Sequence, residues 1–279
     1  MTKKACVIGY PIAHSRSPEI HGYWLKKYGI DGAYESEQVH PDELEKFLRA
    51  LKLRGYAGCN ITLPHKEEAL KIMDEVWPLA KQVGAVNTVI VKPDGKLYGT
   101  NTDIHGFMES LNAAGRVWQK RKPAYIIGAG GAARAVVAAL VSAGCQKIYI
   151  TNRTHERLRN FADDMHKALG VSLHLVGWQD REDALSAADL LVNTTSQGMQ
   201  GQPELDLSLK NLKDGALVTD LIYTPIETPL LAEARRRGHP LVDGLGMLLH
   251  QAAPGFEAWF GKKPEVDDGL RRAVLESLK

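Results

Sequence analysis

The stretch YIIGAGGAARAVVAALVSAG, residues 125–144, passes from an apolar strand-like run through closely spaced small residues into an alanine-rich helix. Gly128, Gly130 and Ala133 occupy the three positions of a GxGxx(G/A) turn. The first position allows a tight turn, the second lets a pyrophosphate approach the backbone, and the third allows close helix packing. The helix N-terminus adds N–H groups and a positive dipole. The stretch predicts a dinucleotide-binding α/β domain; the alternative is a glycine-rich turn with no ligand.

The chain after this turn continues to alternate between runs typical of strands and runs typical of helices. A long helical run at 154–170 follows the next strand-like run. The strand-like runs lie at 147–153, 171–177, 188–196 and 216–223. This succession is expected of a doubly wound parallel sheet. We therefore predict a Rossmann-type dinucleotide domain over residues 106–246.

The first part of the chain predicts a separate α/β domain. Strand-like and helical runs alternate up to the turn PDG, 93–95, which is typical of a hairpin between two strands. An amphipathic stretch, 104–114, then leads into the polar segment 115–123, near which a domain boundary is expected. We predict that residues 1–105 form the first domain and that C-terminal helices within 247–279 return to complete it.

Composition excludes several classes of function. The chain has 279 residues, of which 44% are hydrophobic and 24% charged, and its net charge of +2 gives no basic excess for nucleic acid. Its three cysteines are widely spaced and form no CxxC pair, so reduced thiols in the cytosol are expected. The basic N-terminus turns at once into a short strand, and no apolar run approaches membrane-spanning length, so we expect neither export nor insertion. The spacing of His14, His21 and His65 makes no metal site, and we interpret them as packing or surface residues.

The end of the strand that follows the glycine-rich turn indicates which dinucleotide binds. An NAD site usually has Asp or Glu there, which accepts a hydrogen bond from the ribose 2′-hydroxyl. This chain has Asn152, Arg153 and Thr154 instead, with Arg157 one helical turn later. Arginine and hydroxyl groups can bind a 2′-phosphate, so NADP is predicted. The alternative is that Arg153 is a solvated surface residue and Thr154 only a helix N-cap.

Two hydroxyl groups precede a proline-started helix in the first domain. Ser15 and Ser17 flank Arg16 in the segment HSRSP. A helix N-terminus with converging hydroxyls suits a small anion such as a carboxylate. Ser17 before Pro18 is also typical of an ordinary N-cap, and these residues alone favour that interpretation.

The segment NITLPHK places an amide, a hydroxyl and an ammonium close together. Asn60 and Thr62 alternate along a strand end and so face the same side, and Lys66 is predicted to begin a helix. A lysine there opposes the helix dipole, which favours a functional role over a structural one. Asn87 in GAVNTV and Asp103 in GTNTD add an amide and a carboxylate at comparable strand ends.

Six motifs in order along nearly the whole chain resemble the shikimate dehydrogenase family. They are GYPIAHSRSP, NITLPHK, GAVNT with GTNTD, GAGGAARA with TNRT, NTTSQGM with DLIYTP, and DGLGMLLHQAA. The resemblance implies an N-terminal substrate domain, a Rossmann domain and a small-molecule substrate. It also implies reversible NADPH-dependent reduction of 3-dehydroshikimate to shikimate, on the route to aromatic amino acids. It implies no metal, nucleic acid or membrane partner, and a monomer or homodimer.

The resemblance also assigns roles to individual residues. Lys66 and Asp103 would be the catalytic pair. The substrate ligands would be Ser15, Ser17 and Tyr223 for the carboxylate, with Asn60, Thr62, Lys66, Asn87, Asp103 and Gln251 for the ring oxygens. The cofactor ligands would be Gly128, Ala129, Gly130, Gly131, Ala132, Asn152, Arg153, Thr154 and Arg157, with Thr194, Thr195, Ser196, Leu221, Gly244 and Met247 around the nicotinamide.

Three other functions are compatible with parts of this pattern. A quinate/shikimate dehydrogenase of broader range would share the serines, the lysine and the aspartate. A methylenetetrahydrofolate dehydrogenase would share the two-domain plan but gives no reason for HSRSP or NITLPHK. A non-catalytic NADP-sensing protein would keep GAGGAA and NRT yet need neither Lys66 nor Asp103.

Overall fold

The computed structural model of the chain describes residues 2–114, 118 and 122–278. The chain forms two compact units: Met1–Thr102 with Leu249–Lys279, and Asp103–Leu248. Most of the polar segment 115–123 lies outside the described residues. Among those residues, no helix combines the length and the apolar character that a bilayer crossing requires.

The first unit is an α/β structure built around one mixed sheet. Its strands are β1 Lys3–Gly9, β2 Gly32–Gln38, β3 Tyr56–Ile61, β4 Glu75–Val76, β5 Thr88–Val91 and β6 Leu97–Thr100. Its helices up to residue 102 are α1 Ser17–Tyr28, α2 Leu44–Arg49, α3 Lys66–Ile72 and α4 Pro78–Val83. The strand order is β2-β1-β3-β5-β6-β4. Strands β1, β2 and β3 are parallel, whereas β5 and β6 form the antiparallel hairpin that PDG predicts.

The second unit contains a parallel sheet with helices between its strands. The strands are β7 Ala124–Ile127, β8 Ile148–Thr151, β9 His174–Val176, β10 Leu190–Asn193, β11 Leu217–Asp220 and β12 Leu241–Val242. The helices are α5 Asp103–Ala113, α6 Gly131–Ser142, α7 His155–Leu169 and α8 Pro229–Arg236. The order β12-β11-β10-β7-β8-β9 reverses between β7 and β10, which is the switch point of a Rossmann fold. The predicted doubly wound sheet is confirmed.

Residue patterns explain why two of these helices differ in composition. Leu158, Phe161 and Met165 recur at helical spacing and form the buried stripe of α7, whose other face is polar. In contrast, α6 is apolar almost all round and its residues 135–140 are buried. The two-residue strands β4 and β12 were not predicted, because two residues show no period.

The C-terminal helices return to the first unit, as predicted. Helix α9 spans Gly244–Phe260 and helix α10 spans Asp268–Ser277. Trp259 of α9 donates its indole N–H to the carbonyl of Val89 at 3.0 Å. Asp267 caps α10 by accepting from the Leu270 N–H at 2.8 Å, and its carboxylate pairs with Lys27 of α1 at 2.6 Å. These contacts attach the end of the chain to both the sheet and α1.

Candidate active site

Five side chains of the first unit form a buried hydrogen-bond network, which we call the amide cluster: Tyr34, Asn60, Asn87, Thr88 and Thr102. The Tyr34 hydroxyl donates to Asn60 Oδ1 at 2.5 Å, and Asn60 Nδ2 donates to Thr88 Oγ1 at 3.0 Å. Asn87 Oδ1 accepts from the Thr102 N–H at 2.7 Å and from Thr88 Oγ1 at 3.0 Å. The cluster therefore brings together Asn60 and Asn87, two of the residues predicted to bind substrate.

Backbone hydrogen bonds hold Lys66 and Thr62 close to the amide cluster. The Ile61 N–H donates to the Asn87 carbonyl at 2.7 Å, and the Val86 N–H donates to the Lys66 carbonyl at 2.9 Å. Thr62, just past the end of β3, donates its N–H to the carbonyl of Ile8 at 2.9 Å. Lys66 begins α3, as predicted, and its side chain is half-buried. An ammonium and several amide and hydroxyl groups thus share one end of the sheet.

Asp103 is the residue that follows the amide cluster in the chain. Its predecessor Thr102 is anchored by both its N–H and its hydroxyl to Asn87 Oδ1, at 2.7 and 3.1 Å. Asp103 itself begins α5 and is half-buried. The strand end predicted for Asp103 is therefore a helix start, because β6 ends at Thr100.

The two serines of HSRSP lie at the start of α1. The N-cap interpretation of Ser17 is wrong, because the helix already begins at Ser17 and the cap position falls on Arg16. Ser15 Oγ accepts from the Ser17 N–H at 3.4 Å, and the Ser17 side chain is buried. The two hydroxyls therefore lie beside the helix start, Ser15 before it and Ser17 at its first position.

Gln251 and Tyr223 occupy different elements. Gln251 lies on α9 in the first unit and is buried. Tyr223 lies in the loop after β11 in the second unit and is half-buried.

The glycine-rich turn of the second unit requires its first glycine. Gly128 has a φ of 107°, a backbone conformation that side chains disfavour. A Cβ atom at Gly128 would lie 2.6 Å from Thr194 Oγ1. Thr194 is fixed there because its N–H and its hydroxyl both donate to the Ile127 carbonyl, at 2.9 and 2.7 Å. The turn and the loop at Thr194, Thr195 and Ser196 therefore lie against each other, as the cofactor prediction requires.

One basic side chain lies beside this turn and a second lies at the end of β8. The Arg157 Nε donates to the carbonyl of Ala129 at 2.9 Å, which places its guanidinium beside the turn. Arg153 and Thr154 are exposed at the end of β8. Thr154 occupies the N-cap position of α7 but its side chain makes no capping hydrogen bond. Asn152 is half-buried and its side chain donates to the Thr154 carbonyl at 3.0 Å.

This arrangement fits NADP. The turn ends at Gly130 and Gly131, where α6 begins with N–H groups available to an anion. The end of β8 carries an arginine where an NAD site usually carries a carboxylate. Within the described ranges, no group of three or more His, Cys, Asp or Glu side chains is placed to hold a metal ion.

Asp220 organises the loops predicted to surround the nicotinamide, although sequence reasoning did not single it out. This buried carboxylate accepts from Asn193 Nδ2 at 3.1 Å, from the Ile222 N–H at 3.1 Å and from the Thr228 hydroxyl at 2.8 Å. Asn193 Oδ1 in turn accepts from the Thr195 N–H at 3.0 Å. Burial raises the pKa of Asp220, and these donors oppose that shift. Asp220 and Asn193 lie inside the motifs DLIYTP and NTTSQGM, and membership of these motifs was the sequence signal that could have identified them.

Two of the remaining cofactor positions, Leu221 and Gly244, contact this network or each other. The Leu221 N–H donates to the Asn193 carbonyl at 3.1 Å. A Cβ atom at Gly244 would lie 2.4 Å from the Leu221 carbonyl oxygen, so only glycine allows this approach. Met247 follows one turn later on α9 and is half-buried.

His21 is a packing residue, as predicted, and it should make the stability of the fold depend on pH. Its ring stacks on Tyr34 with centroids 3.9 Å apart, and burial lowers its pKa from 6.5 to about 3. Between these values the unfolded chain binds a proton that the folded chain excludes, so stability falls as pH decreases below 6.5.

We expect His21→Phe to reduce this acid sensitivity. The loss attributable to His21 is about 1.4 kcal/mol per pH unit, or about 2 kcal/mol between pH 6.5 and pH 5. The measurement is the free energy of unfolding by urea at pH 7 and pH 5, with wild type and variant compared at each pH. An equal pH-dependent loss in both proteins would show that His21 is not the group that titrates.

Comparisons with known proteins match nearly the whole length of the chain. The substrate-binding domain model of shikimate dehydrogenase matches residues 7–89, the shikimate/quinate 5-dehydrogenase model matches residues 113–204, and the C-terminal domain model of shikimate 5′-dehydrogenase matches residues 244–274. A shikimate dehydrogenase (NADP(+)) from Paramagnetospirillum magneticum is 52% identical over 97% of both chains.

Solved structures agree with this match. A shikimate 5-dehydrogenase from Thermus thermophilus, solved with NADP(H) and shikimate, has a TM-score of 0.86 and 36% identity, covering 99% of this chain and 100% of that one. A quinate dehydrogenase from Corynebacterium glutamicum, solved with NAD, has a TM-score of 0.91 and 33% identity, covering 99% of both chains.

Proposed function

Because the chain belongs to the shikimate dehydrogenase family, we propose that it catalyses the reversible NADPH-dependent reduction of 3-dehydroshikimate to shikimate. It is an NADP-dependent oxidoreductase of the shikimate pathway, which leads to chorismate and the aromatic amino acids. The observation that carries the proposal is the placement of Lys66 beside the amide cluster, since a ketone with several neighbouring oxygens needs a proton donor and fixed amide and hydroxyl partners.

Lys66 supplies the proton in the proposed reaction. Reduction of the substrate ketone places negative charge on its oxygen, and the Lys66 ammonium both stabilises that charge and protonates it. In the oxidation direction, the neutral amine takes the proton from the substrate hydroxyl. Asp103 accepts a hydrogen bond from a substrate hydroxyl and, with Lys66, forms the catalytic pair.

The other polar residues assigned to the site orient the substrate. We propose that Ser15 and Ser17, with Tyr223, hold its carboxylate. The ring oxygens are assigned to Asn60, Thr62, Lys66, Asn87, Asp103 and Gln251. A site built to satisfy each oxygen rejects analogues that lack one, because a buried polar group would then have no partner.

The second unit holds the cofactor, and bound NADPH supplies the hydride. The turn from Gly128 to Ala132 cradles the pyrophosphate at the start of α6. Arg153, Thr154 and Arg157 bind the 2′-phosphate. Asp220 maintains the loops at Thr194, Thr195, Ser196, Leu221, Gly244 and Met247 that surround the nicotinamide.

We also propose that the protein works in the cytoplasm as a monomer or homodimer. Its three cysteines, Cys6, Cys59 and Cys145, are unpaired and buried. Unpaired cysteines are typical of a reducing compartment.

The direct test of this function is an absorbance assay at 340 nm with shikimate and NADP, repeated with quinate and with NAD. We expect turnover of shikimate with NADP, and much less with either substitute. Comparable turnover of quinate would make the protein a quinate/shikimate dehydrogenase. A purified protein that binds NADP but turns over neither compound would be the non-catalytic sensor.

Replacement of either serine at the start of α1 should weaken substrate binding. Ser15→Ala or Ser17→Ala removes one hydrogen bond to the substrate carboxylate, so the Michaelis constant for shikimate should rise about tenfold. The Michaelis constant for NADP should stay within about twofold of wild type, because it depends on other residues. Steady-state kinetics with each substrate varied in turn checks this, and unchanged shikimate constants in both variants would make the serines structural.

A further inference from the structure

We propose that Tyr34 is a positioning residue that holds the side-chain oxygen of Asn60 in place for the substrate. Tyr34 belongs to no motif that the sequence singled out. The inference rests on the proposed function, in which Asn60 binds a substrate oxygen, and it adds the residue that orients Asn60.

Tyr34 reaches Asn60 across an intervening strand. Tyr34 on β2 lies opposite Ala5 of β1, whereas Asn60 on β3 lies opposite Val7 of β1. Ala5 and Val7 are two residues apart, so the side chains of Tyr34 and Asn60 are on the same face of the sheet. Backbones two strands apart are separated by about 9 to 10 Å. A long side chain with a terminal hydroxyl spans that distance, and the small side chain of Ala5 leaves room beneath the ring.

The ring of Tyr34 is held by aromatic neighbours. The His21 ring stacks on it at 3.9 Å with an interplanar angle of 5°, and the Trp259 ring lies 6.0 Å away. The Phe256 ring in turn lies against the His21 ring, with centroids 5.8 Å apart. Burial raises the pKa of Tyr34 well above its usual value, so its hydroxyl keeps its proton. Tyr34 is therefore a fixed hydrogen-bond donor.

The partners of Asn60 leave its amide one orientation. Asn60 Nδ2 lies 3.4 Å from the Asn87 carbonyl and 3.0 Å from Thr88 Oγ1. A carbonyl can only accept, so the NH2 group must face Asn87 and the oxygen must face Tyr34, which donates at 2.5 Å. Both N–H groups are then used, whereas the oxygen keeps one lone pair. Asn60 consequently accepts a hydrogen bond from a substrate hydroxyl.

Tyr34→Phe removes the hydroxyl and keeps the ring that stacks on His21. The Asn60 oxygen then loses its donor, and the amide is held only through its NH2 group, by Asn87 and Thr88. A neutral hydrogen bond of this kind corresponds to a roughly threefold to tenfold change in affinity. We expect the Michaelis constant for shikimate to rise by that factor, with turnover at saturation within about twofold of wild type and the NADP dissociation constant unchanged.

Tyr56→Phe is the matched control. The Tyr56 hydroxyl lies 2.6 Å from a Glu35 oxygen and 2.8 Å from a Glu37 oxygen, to either of which it can donate its one proton, in the same unit but outside the amide cluster. This variant also loses a tyrosine hydroxyl but leaves the amide cluster intact, so its Michaelis constant should stay near that of wild type. Equal effects of Tyr34→Phe and Tyr56→Phe would mean a general loss of stability and would overturn the proposal.

A double-mutant cycle tests whether Tyr34 acts through Asn60. In an Asn60→Ala background, Tyr34→Phe should produce no further rise in the Michaelis constant, because the group it orients is gone. Independent effects that multiply would overturn the proposal. If wild type oxidises shikimate and Tyr34→Phe has the same Michaelis constant as wild type, this inference is wrong. The proposed function would then still stand.

Hydrogen exchange of the Asn60 side-chain amide tests the orientation in the protein without substrate. Its NMR signals can be assigned by their loss in Asn60→Ala. We expect exchange at least about tenfold faster in Tyr34→Phe than in wild type or Tyr56→Phe, because the amide would be held at its NH2 end only and would open more often. Equal exchange rates would overturn the proposal even if shikimate proved not to be the substrate.

Discussion

Lys66→Ala should lower turnover by roughly a hundredfold to ten-thousandfold while NADP affinity stays unchanged. The variant loses the proton donor and also the positive charge that stabilises the developing alkoxide. Lys66→Arg should not restore activity, because a guanidinium holds its proton too tightly to exchange it near neutral pH. Turnover at saturating shikimate and NADP is the measurement.

Lys71→Ala provides the control for this experiment. Lys71 lies on the same helix, α3, and its ammonium pairs with Glu68 at 2.6 Å on the exposed surface. Its removal should leave turnover near the wild-type value, since exposed ion pairs of this kind contribute little.

Asp103→Asn should also slow turnover, and the double variant with Lys66→Ala should be hardly slower than the slower single variant. Residues that act as a unit show strongly non-additive losses. If the two losses simply multiply, or if Lys66→Ala changes only the Michaelis constant, then Lys66 binds substrate and another group provides the proton.

Arg153→Ala should lower NADP affinity roughly tenfold to a hundredfold, because it removes a charge-assisted hydrogen bond to the 2′-phosphate. NAD lacks that phosphate, so its affinity should barely change. Arg159→Ala is a matched control, since Arg159 is an exposed arginine like Arg153. It lies on α7 two residues after Arg157, and therefore on another side of the helix. The measurement is the dissociation constant for each cofactor by titration calorimetry. Equal use of NAD and NADP by wild type would contradict the assigned phosphate site.

Much of the fold and of the candidate site could be predicted from local features of the sequence. The turn at Gly128 needs a positive φ and close contact with Thr194, which glycine satisfies. The alternation of strand and helix periods predicted both α/β units. The absence of a carboxylate after β8 predicted NADP, and the relatives are named as NADP-dependent enzymes. These features depend on residues close together in the chain, so they can be recognised in the sequence alone.

Tertiary structure alone decided which partners the functional side chains have. Ser17 proved to lie inside α1 rather than at its cap, because helix ends depend on packing as well as on local preference. The contact between Tyr34 and Asn60 depends on strand order and register, which place β1 between β2 and β3. Asp220 likewise joins loops from separate strands. Local patterns were enough to predict the fold class and the candidate ligands, whereas the hydrogen bonds that orient those ligands arise between residues distant in the chain, which no local period encodes.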